Sequence, residues 1–570
     1  MTSEVPAGEA AADTVTAPRP PTEPRKSWPR RYLARFSLAG LTGALVCFCL
    51  SLTPSLIPRA WLLQAGVSGI SAAIGYGLGA LVGWLARSLI PWSPGPAARR
   101  VARWALAVAS VVLVPLFGVL GARWQHQIRD LTGASQPSEA RYVLVEMVAL
   151  VLAVLLVSAA RGLRWAVRRV ARPLGRFVSP AAATAAGLIV VLVVLFLLVN
   201  GVLVRVISSR TDAIFSGVDN TTAPGVAEPA TALRSGSPES LVPWKTLGRQ
   251  GRTFVAGGPT TTQITDFTGQ PAQEPIRVYA GLKSAPSVPA EAALAVRELE
   301  RTGAFNRKVL VVATTTGTGW VNQDLADPVE YMYGGDTAIA AIQYSYLPSW
   351  LSFLADKGPA QEAGRDLFDA VYDQWEQLPA DHRPKLVVLG ESLGSFGGEA
   401  AFSGTDDIRN RASGVLWVGP TNSNLLWDRF TAGRDPGSPQ WRPVYQQGQT
   451  VRFSDSPADL EPDSPTWQQP RVLYLQNAND PIVWWSTSLA FREPDWLKGP
   501  HGPGVSPAMH WYPLVTFWQV SADMADSTSV PAGQGHVYSS LEGASAWASI
   551  IPPPGWTPER TAALARQSDD

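Results

Sequence analysis

Five apolar runs dominate the N-terminal part of the chain, at about 36–53, 64–86, 102–122, 142–160 and 182–207. Each approaches the roughly 20 largely apolar residues that a helix needs to cross a bilayer. The last carries no charge from Gly187 to Val204. The second is rich in small residues, Gly66, Ser68, Gly69, Ser71, Gly75, Gly77 and Gly79, which lets helices approach closely in lipid. A signal peptide explains only the first run, so the pattern predicts a bundle of about five transmembrane helices over 36–207. Before it, residues 1–35 are rich in Pro, Ala, Thr and Arg without apolar periodicity and read as a disordered basic tail.

The pattern then changes twice. Residues 208–275 are polar, with Gly, Pro, Ser and Thr throughout, and read as a linker or an irregular lead-in to the next domain. From about 276 to 570, short β-branched runs alternate with amphipathic stretches. The runs are Ile276–Tyr279, Lys308–Ala313, Ala338–Gln343, Lys385–Leu389, Gly414–Val418 and Arg471–Gln476, and the amphipathic stretches include Ala290–Thr302 and Ala360–Leu378. This alternation predicts an α/β domain with a mostly parallel sheet covered by helices on both faces. Because the helices end near Ile207 and the sheet begins near Ile276, a piece from about 235 to 570 is expected to fold without the membrane part.

Charge refines the membrane reading. The net charge is +1, which gives no reason to expect nucleic acid as a partner. Arg outnumbers Lys by 40 to 7; with the heavy Ala, Gly and Pro usage this reads as a compositional bias. Basic residues are distributed unevenly about the five runs. Sixteen lie in the tail, in the loop after the second run (Arg87, Arg99, Arg100, Arg103) and in the loop after the fourth (Arg161, Arg164, Arg168, Arg169, Arg172, Arg176). The alternate loops hold four, Arg59, Arg123, Arg129 and Arg141. The positive-inside rule then puts the tail in the cytoplasm and, with an odd number of spans, the C-terminal domain outside the cell. Glu146 is the lone acidic residue well within a span. The only cysteines, Cys47 and Cys49, lie in the first run, too close along a helix for a disulfide and too few for a metal site.

Candidate chemistry centres on Gly390-Glu391-Ser392-Leu393-Gly394, which follows the apolar run at Lys385–Leu389 and precedes small residues that open a helix at Phe396–Ala401. Strand, sharp turn and helix around G-x-S-x-G form the setting of a nucleophilic serine, with Ser392 as the nucleophile. A serine hydroxyl needs a base and the base an orienting acid, in the chain order Ser, acid, His. Asp480 follows the Arg471–Gln476 run and is the first choice of acid; Asp523 is its rival. Of the five histidines, His126 lies in the membrane part and His382 before the nucleophile run. His536, in Gly533-Gln534-Gly535-His536, has a loop that lets an imidazole reach across the sheet, with His510 and His501 as weaker choices. Oxyanion donors are expected from the N–H of Leu393 and from Thr316 or Gly317 in the loop after Lys308–Ala313. Neither a dinucleotide fingerprint nor a P-loop accompanies that loop, so no cofactor is expected and no metal.

Together these motifs resemble α/β-hydrolases with an N-terminal multi-span membrane region, a family found mainly in actinobacteria. The resemblance covers nearly the whole chain after the tail. It rests on Trp244-Lys-Thr-Leu-Gly-Arg-Gln-Gly-Arg, Gly317-Thr-Gly-Trp, Gln343-Tyr-Ser-Tyr-Leu-Pro-Ser-Trp, the G-x-S-x-G segment, Asp480-Pro-Ile-Val-Trp-Trp and Gly535-His536. It implies Ser392, Asp480 and His536 as nucleophile, acid and base. It implies proline where Thr315 stands; a proline has no N–H, so the second donor is sought after it. The expected activity is that of a carboxylic-ester hydrolase, lipase-like, or an acyltransferase, acting beside the bilayer on acyl esters of lipids or envelope components. Trp484 and Trp485, directly behind Asp480, read as core residues first and as an acyl groove second. The rival reading is a membrane scaffold or transport-associated protein with an inert hydrolase-like domain.

Overall fold

The computed structural model describes residues 36–90, 95–136, 143–198, 215–347, 352, 356–460 and 466–569. The expected tail at 1–35, Arg141, Pro348 to Trp350 and the end of the fifth apolar run at 199–207 lie outside the described residues.

Among the described residues, five helices build the N-terminal part: α1 (Leu38–Ser51), α2 (Trp61–Leu89), α3 (Pro96–Thr132), α4 (Val143–Leu174) and α5 (Pro180–Leu198). Among the described residues three helices, α2, α3 and α4, are long and apolar enough to cross a membrane. The expectation of about five spans is corrected accordingly. α1 has 14 residues, about 21 Å at 1.5 Å per residue, against a hydrocarbon core of about 30 Å. It stops because Pro54 and Pro58 follow, and a residue before proline is steered away from helical dihedrals. α5 is apolar, and its run continues into residues outside the description.

Small residues set the helix contacts. A Cβ on Gly43 would stand 2.2 Å from the Gly75 carbonyl oxygen, and one on Gly79 2.1 Å from that of Ala39, so α1 and α2 touch backbone to backbone. Gly69 meets Ala149 and Leu152 of α4, whereas Gly66 and Gly77 meet nothing within 4 Å. Arg87, Arg161, Arg164 and Arg168 line one cleft with Ser37, Arg161 stacks on Phe36 at 3.9 Å, and Phe36 shares a second cleft with Arg103. Arg87, Arg103, Arg161, Arg164 and Arg168 therefore gather at one end of the bundle, the end where α1 begins.

The rest of the chain forms a seven-stranded sheet. Its strands are β1 (Ile276–Ala280), β2 (Val309–Thr314), β3 (Thr337–Ile342), β4 (Lys385–Glu391), β5 (Gly414–Val418), β6 (Val451–Ser454) and β7 (Arg471–Leu475). All neighbours are parallel, in the order β1-β3-β2-β4-β5-β7-β6. Both faces are buried, as parallel sheets require. Along β2, Leu310 and Val312 enter one core and Val309, Val311 and Ala313 the other. Helices α6 (Val288–Thr302), α7 (Gln323–Met332), α8 (Gly358–Glu376), α9 (Leu393–Glu399) and α11 (Ser540–Ile550) cover it, while α10 (Val515–Ala525) packs against α1 and α2. The first core takes Leu299 of α6, Phe368 of α8 and Phe396 of α9; the second takes Val329 of α7 and Trp547 of α11.

The stretch at 208–275 is folded from Phe215 onward. Ser235 exchanges hydrogen bonds with β1: its N–H donates to the Arg277 carbonyl at 3.0 Å, and its hydroxyl accepts the Tyr279 N–H at 3.0 Å. The two large parts of the chain also interlock. Leu56 and Ile57, in the segment between α1 and α2, belong to the first core of the sheet domain. The expectation that residues 235–570 fold alone is revised on that ground, since such a piece would open this core.

Candidate active site

The sheet register brings four loops to one edge. β4 is the middle strand, and its last residue, Glu391, lies level with Val418 of β5, which lies level with Leu475 of β7. On the other side Thr314, the last residue of β2, lies level with Gly390. Ser392, Gly419, the 476–480 segment and the Thr315–Gly317 loop thus all leave the sheet at its carboxyl edge.

Ser392 is the sharp turn itself. Its φ is +55° and its ψ −123°, a conformation that costs a non-glycine residue about 1–3 kcal/mol and persists only where the surroundings impose it. Here they do. The Ser392 N–H donates to the Val418 carbonyl at 2.8 Å, and the Ser392 carbonyl accepts the Ser395 N–H at 3.0 Å and its hydroxyl at 2.7 Å. A Cβ on Gly390 would lie 2.6 Å from the Gly394 carbonyl oxygen, and one on Gly394 2.2 Å from that of Thr314. The flanking glycines are therefore obligatory, and the elbow presses against the loop after β2.

His536 and Asp480 come together at this edge. His536 Nδ1 lies 2.6 Å from Asp480 Oδ2, with the side chains 10% and 0% exposed. Since the carboxylate accepts, Nδ1 carries the proton and the lone pair is left on Nε2. The imidazole rests on Gly419, whose φ is +51° and whose Cβ would stand 2.6 Å from His536 Cε1. Gly419 directly follows Val418, the residue that holds the Ser392 amide.

Asp480 is fully engaged. Oδ1 caps a short helix by accepting the Ile482 N–H at 2.8 Å, and Oδ2 also accepts the Tyr538 hydroxyl at 2.8 Å. Burial works against an imidazolium, but the charge and hydrogen bond of Asp480, with the charge of Glu391, outweigh it and hold His536 above its ordinary pKa. Glu391 is itself pushed up to about 7, chiefly by burial, with His536 and the Asn322 amide pulling the other way. Its Oε1 accepts a long bond from Asn322 at 3.4 Å, and Oε2 has no hydrogen-bond partner among the described residues.

The other sequence candidates lie elsewhere. Asp523 pairs with Arg59, Nε to Oδ1 at 2.7 Å, both fully buried, and does not face His536. His501 Nδ1 meets the Ser506 carbonyl at 3.0 Å, His510 and His382 are exposed, and His126 meets Gln136 on the bundle. Thr316 is corrected as an oxyanion donor: its N–H donates to the Trp320 carbonyl at 3.0 Å and closes a turn. Leu393 sits at the first position of α9, where helix amides have no intrahelical acceptor. Gly317 lies in the loop beside it. Trp484 is a core residue, buried against Trp427 and Trp496. Trp485 donates to the Ser521 hydroxyl on α10 at 2.8 Å.

Sequence reasoning missed Tyr538, Asn477 and Asn479. Asn479 Oδ1 accepts the Gly535 N–H and Asn477 Nδ2 donates to the Gly535 carbonyl, both at 2.9 Å, which pins the histidine loop to the loop after β7. The signal was proximity: Tyr538 is two residues from His536, and both asparagines are within three of Asp480.

Residues 276–564 match the model of an alpha/beta-hydrolase family, and residues 52–259 match the model of that family's N-terminus. No curated protein and no solved structure matches the chain.

Proposed function

The chain belongs to this α/β-hydrolase family, and from that premise we propose that it is a membrane-anchored serine hydrolase acting on carboxylic acyl esters. Ser392 Oγ attacks the acyl carbonyl while its proton passes to His536 Nε2. The tetrahedral oxyanion is met by the Leu393 N–H. Collapse expels the alcohol, which takes the proton from Nε2 and leaves the acyl group on Ser392. Water, or an acceptor alcohol, then repeats the sequence and releases an acid or a new ester. Asp480 keeps the imidazole in the reactive tautomer and stabilises its charged form.

The observation that carries this reading is the buried His536–Asp480 pair seated on Gly419, one residue from the carbonyl that holds the strained Ser392. Lipids or acylated envelope components suit a catalytic domain set against apolar helices. Orientation is part of the proposal: the sheet domain sits on the α1–α2 loop, at the end of the bundle away from the clustered arginines, and the positive-inside rule puts that end outside the cytoplasm. The test is covalent labelling of the full chain by a fluorophosphonate. Labelling lost in Ser392→Ala is the expected result; a wild-type chain that stays unlabelled, or a Ser392→Ala variant that still turns over esters, refutes the reading.

A further inference from the structure

Interhelical loops at a membrane surface are ordinarily exposed, yet Ser51 to Arg59, between α1 and α2, is buried throughout. It is held from both sides. From the sheet domain, Gln519 and Asp523 project from the same face of α10, four residues apart. Gln519 Nε2 donates to the carbonyls of Thr53 at 3.0 Å and Ser51 at 3.3 Å. Asp523 accepts from Arg59 Nε, from the Leu56 N–H at 3.0 Å and from the Ser55 hydroxyl. From the bundle, Gln125 accepts the Arg59 N–H at 2.9 Å and Arg129 donates to the Arg59 carbonyl at 3.3 Å.

The chain beyond Asp523 leads straight to the base. Ser527, four residues on, accepts the His536 N–H at 2.9 Å. Gly535 has a φ of +53°, and a Cβ built on it would meet Val530 Cγ2 at 2.6 Å, the Ser527 carbonyl at 2.8 Å and Ile57 Cγ2 at 3.6 Å. So the Gly535–His536 backbone is clamped by Asn477 and Asn479 on one side and by Ser527 on another, and Ile57, in the same buried core as Val530, lies where a Cβ on Gly535 would touch it. Ile57 is fully buried.

We propose that the α1–α2 loop is a positioning element for His536, with Ile57, fixed by the Arg59–Asp523 lock, backing the Gly535–His536 peptide so that the imidazole meets Asp480. This inference rests on the serine-hydrolase reading. It makes the bundle a working part of the active centre as well as an anchor. Displacing a catalytic group by about 1 Å costs on the order of 10²-fold in rate, and loss of Ile57 would leave a void in the core that Val530 shares beneath Gly535.

The test uses the full chain in nanodiscs and the second-order rate at which a fluorophosphonate modifies Ser392. In that reaction Ser392 Oγ displaces fluoride from phosphorus and its proton passes to His536. Ile57→Ala is expected to slow modification at least ~10-fold, while Ile57→Val restores it to within about threefold, since it keeps the branched bulk. The groups facing His536 are Asp480, Glu391 and Tyr538. Loosening its contact with Asp480 removes a raising influence, so the acid limb of the pH–rate profile moves to lower pH. Loss of stability alone would not move that limb. A folded Ile57→Ala protein with wild-type rate and an unmoved limb overturns the inference and leaves the hydrolase reading standing. Absence of labelling in the wild-type chain sinks both. Should Ile57→Ala not fold, Ile57→Leu, which keeps the volume but removes the Cγ2 branch, carries the same comparison.

Discussion

Gly419→Ala isolates the seat of the imidazole. The new methyl would stand 2.6 Å from His536 Cε1, 2.9 Å from Nδ1 and 3.0 Å from Tyr538 Cε2. Carbon atoms prefer about 3.5–4.0 Å, so the ring must retreat by roughly 1 Å. Retreat lengthens or bends the 2.6 Å bond to Asp480 and shifts Nε2 away from Ser392, whose hydroxyl it serves in the proposed mechanism. A misplacement of that size costs about 10²-fold, near 2.7 kcal/mol of barrier. The alanine also takes up a positive φ, at about 1–2 kcal/mol of stability. Hydrolysis of a p-nitrophenyl ester by the full chain measures the first effect and thermal unfolding the second. Gly437→Ala is the control: it has a φ of +89° with nothing within 4 Å of the added methyl, so it carries the backbone penalty alone. The reasoning is refuted if Gly419→Ala keeps its kcat within about threefold of wild type, or if Gly437→Ala loses as much.

Asp480→Asn should keep the fold, because asparagine caps the helix at Ile482 nearly as well, and should lower turnover by roughly 10⁴; full activity with unchanged folding would move the acid elsewhere. Because Asp480 raises the His536 pKa, the acid limb of kcat/KM in the wild type should lie above about 6.5, the ordinary histidine value. The residual activity of Asp480→Asn should show that limb displaced downward, as read from a pH profile. Arg59→Met or Asp523→Asn alone strands a buried polar or charged partner and should cost about 3–5 kcal/mol. The double variant should cost less than the two singles added together, by denaturant unfolding in detergent. In a background lacking Cys47 and Cys49, an impermeant thiol reagent on intact cells should label cysteine placed at Asn220 and spare cysteine placed at Gly95; the reverse pattern overturns the orientation.

What the sequence made legible follows a physical divide. Strands announced themselves where β-branched residues run together, as in Val309–Thr314 and Lys385–Glu391. β6, Val451–Ser454, escaped because four residues containing an arginine at the edge of the sheet carry no such run. Ser392 was readable because its strain demands glycines at fixed spacing, and the Asp480 and His536 positions because each follows a recognisable strand or a glycine-rich turn. Hydropathy alone overran the first helix, since Pro54 and Pro58 mark an end that apolar character conceals. Charge counting treated Arg59 and Arg129 as surface residues, whereas both are buried at the contact between the two parts of the chain. That contact could not be read at all: Arg59 and Asp523 are 464 positions apart, and nothing local in either marks the other. Thr316 failed for a local reason, because its amide closes a turn onto the carbonyl of Trp320, four residues on.

The same separation has a consequence for biosynthesis. Arg59 enters the bundle early in translation, but the carboxylate that neutralises it is made 464 residues later. At about 5–20 residues per second, that is a delay of about half a minute to a minute and a half. The last strand is complete only at Leu475, so for most of this interval Leu56 and Ile57 have no finished sheet to enter, and throughout it the guanidinium lacks its carboxylate. Ribosomes stalled before residue 523 would present a nascent chain with its lock still open.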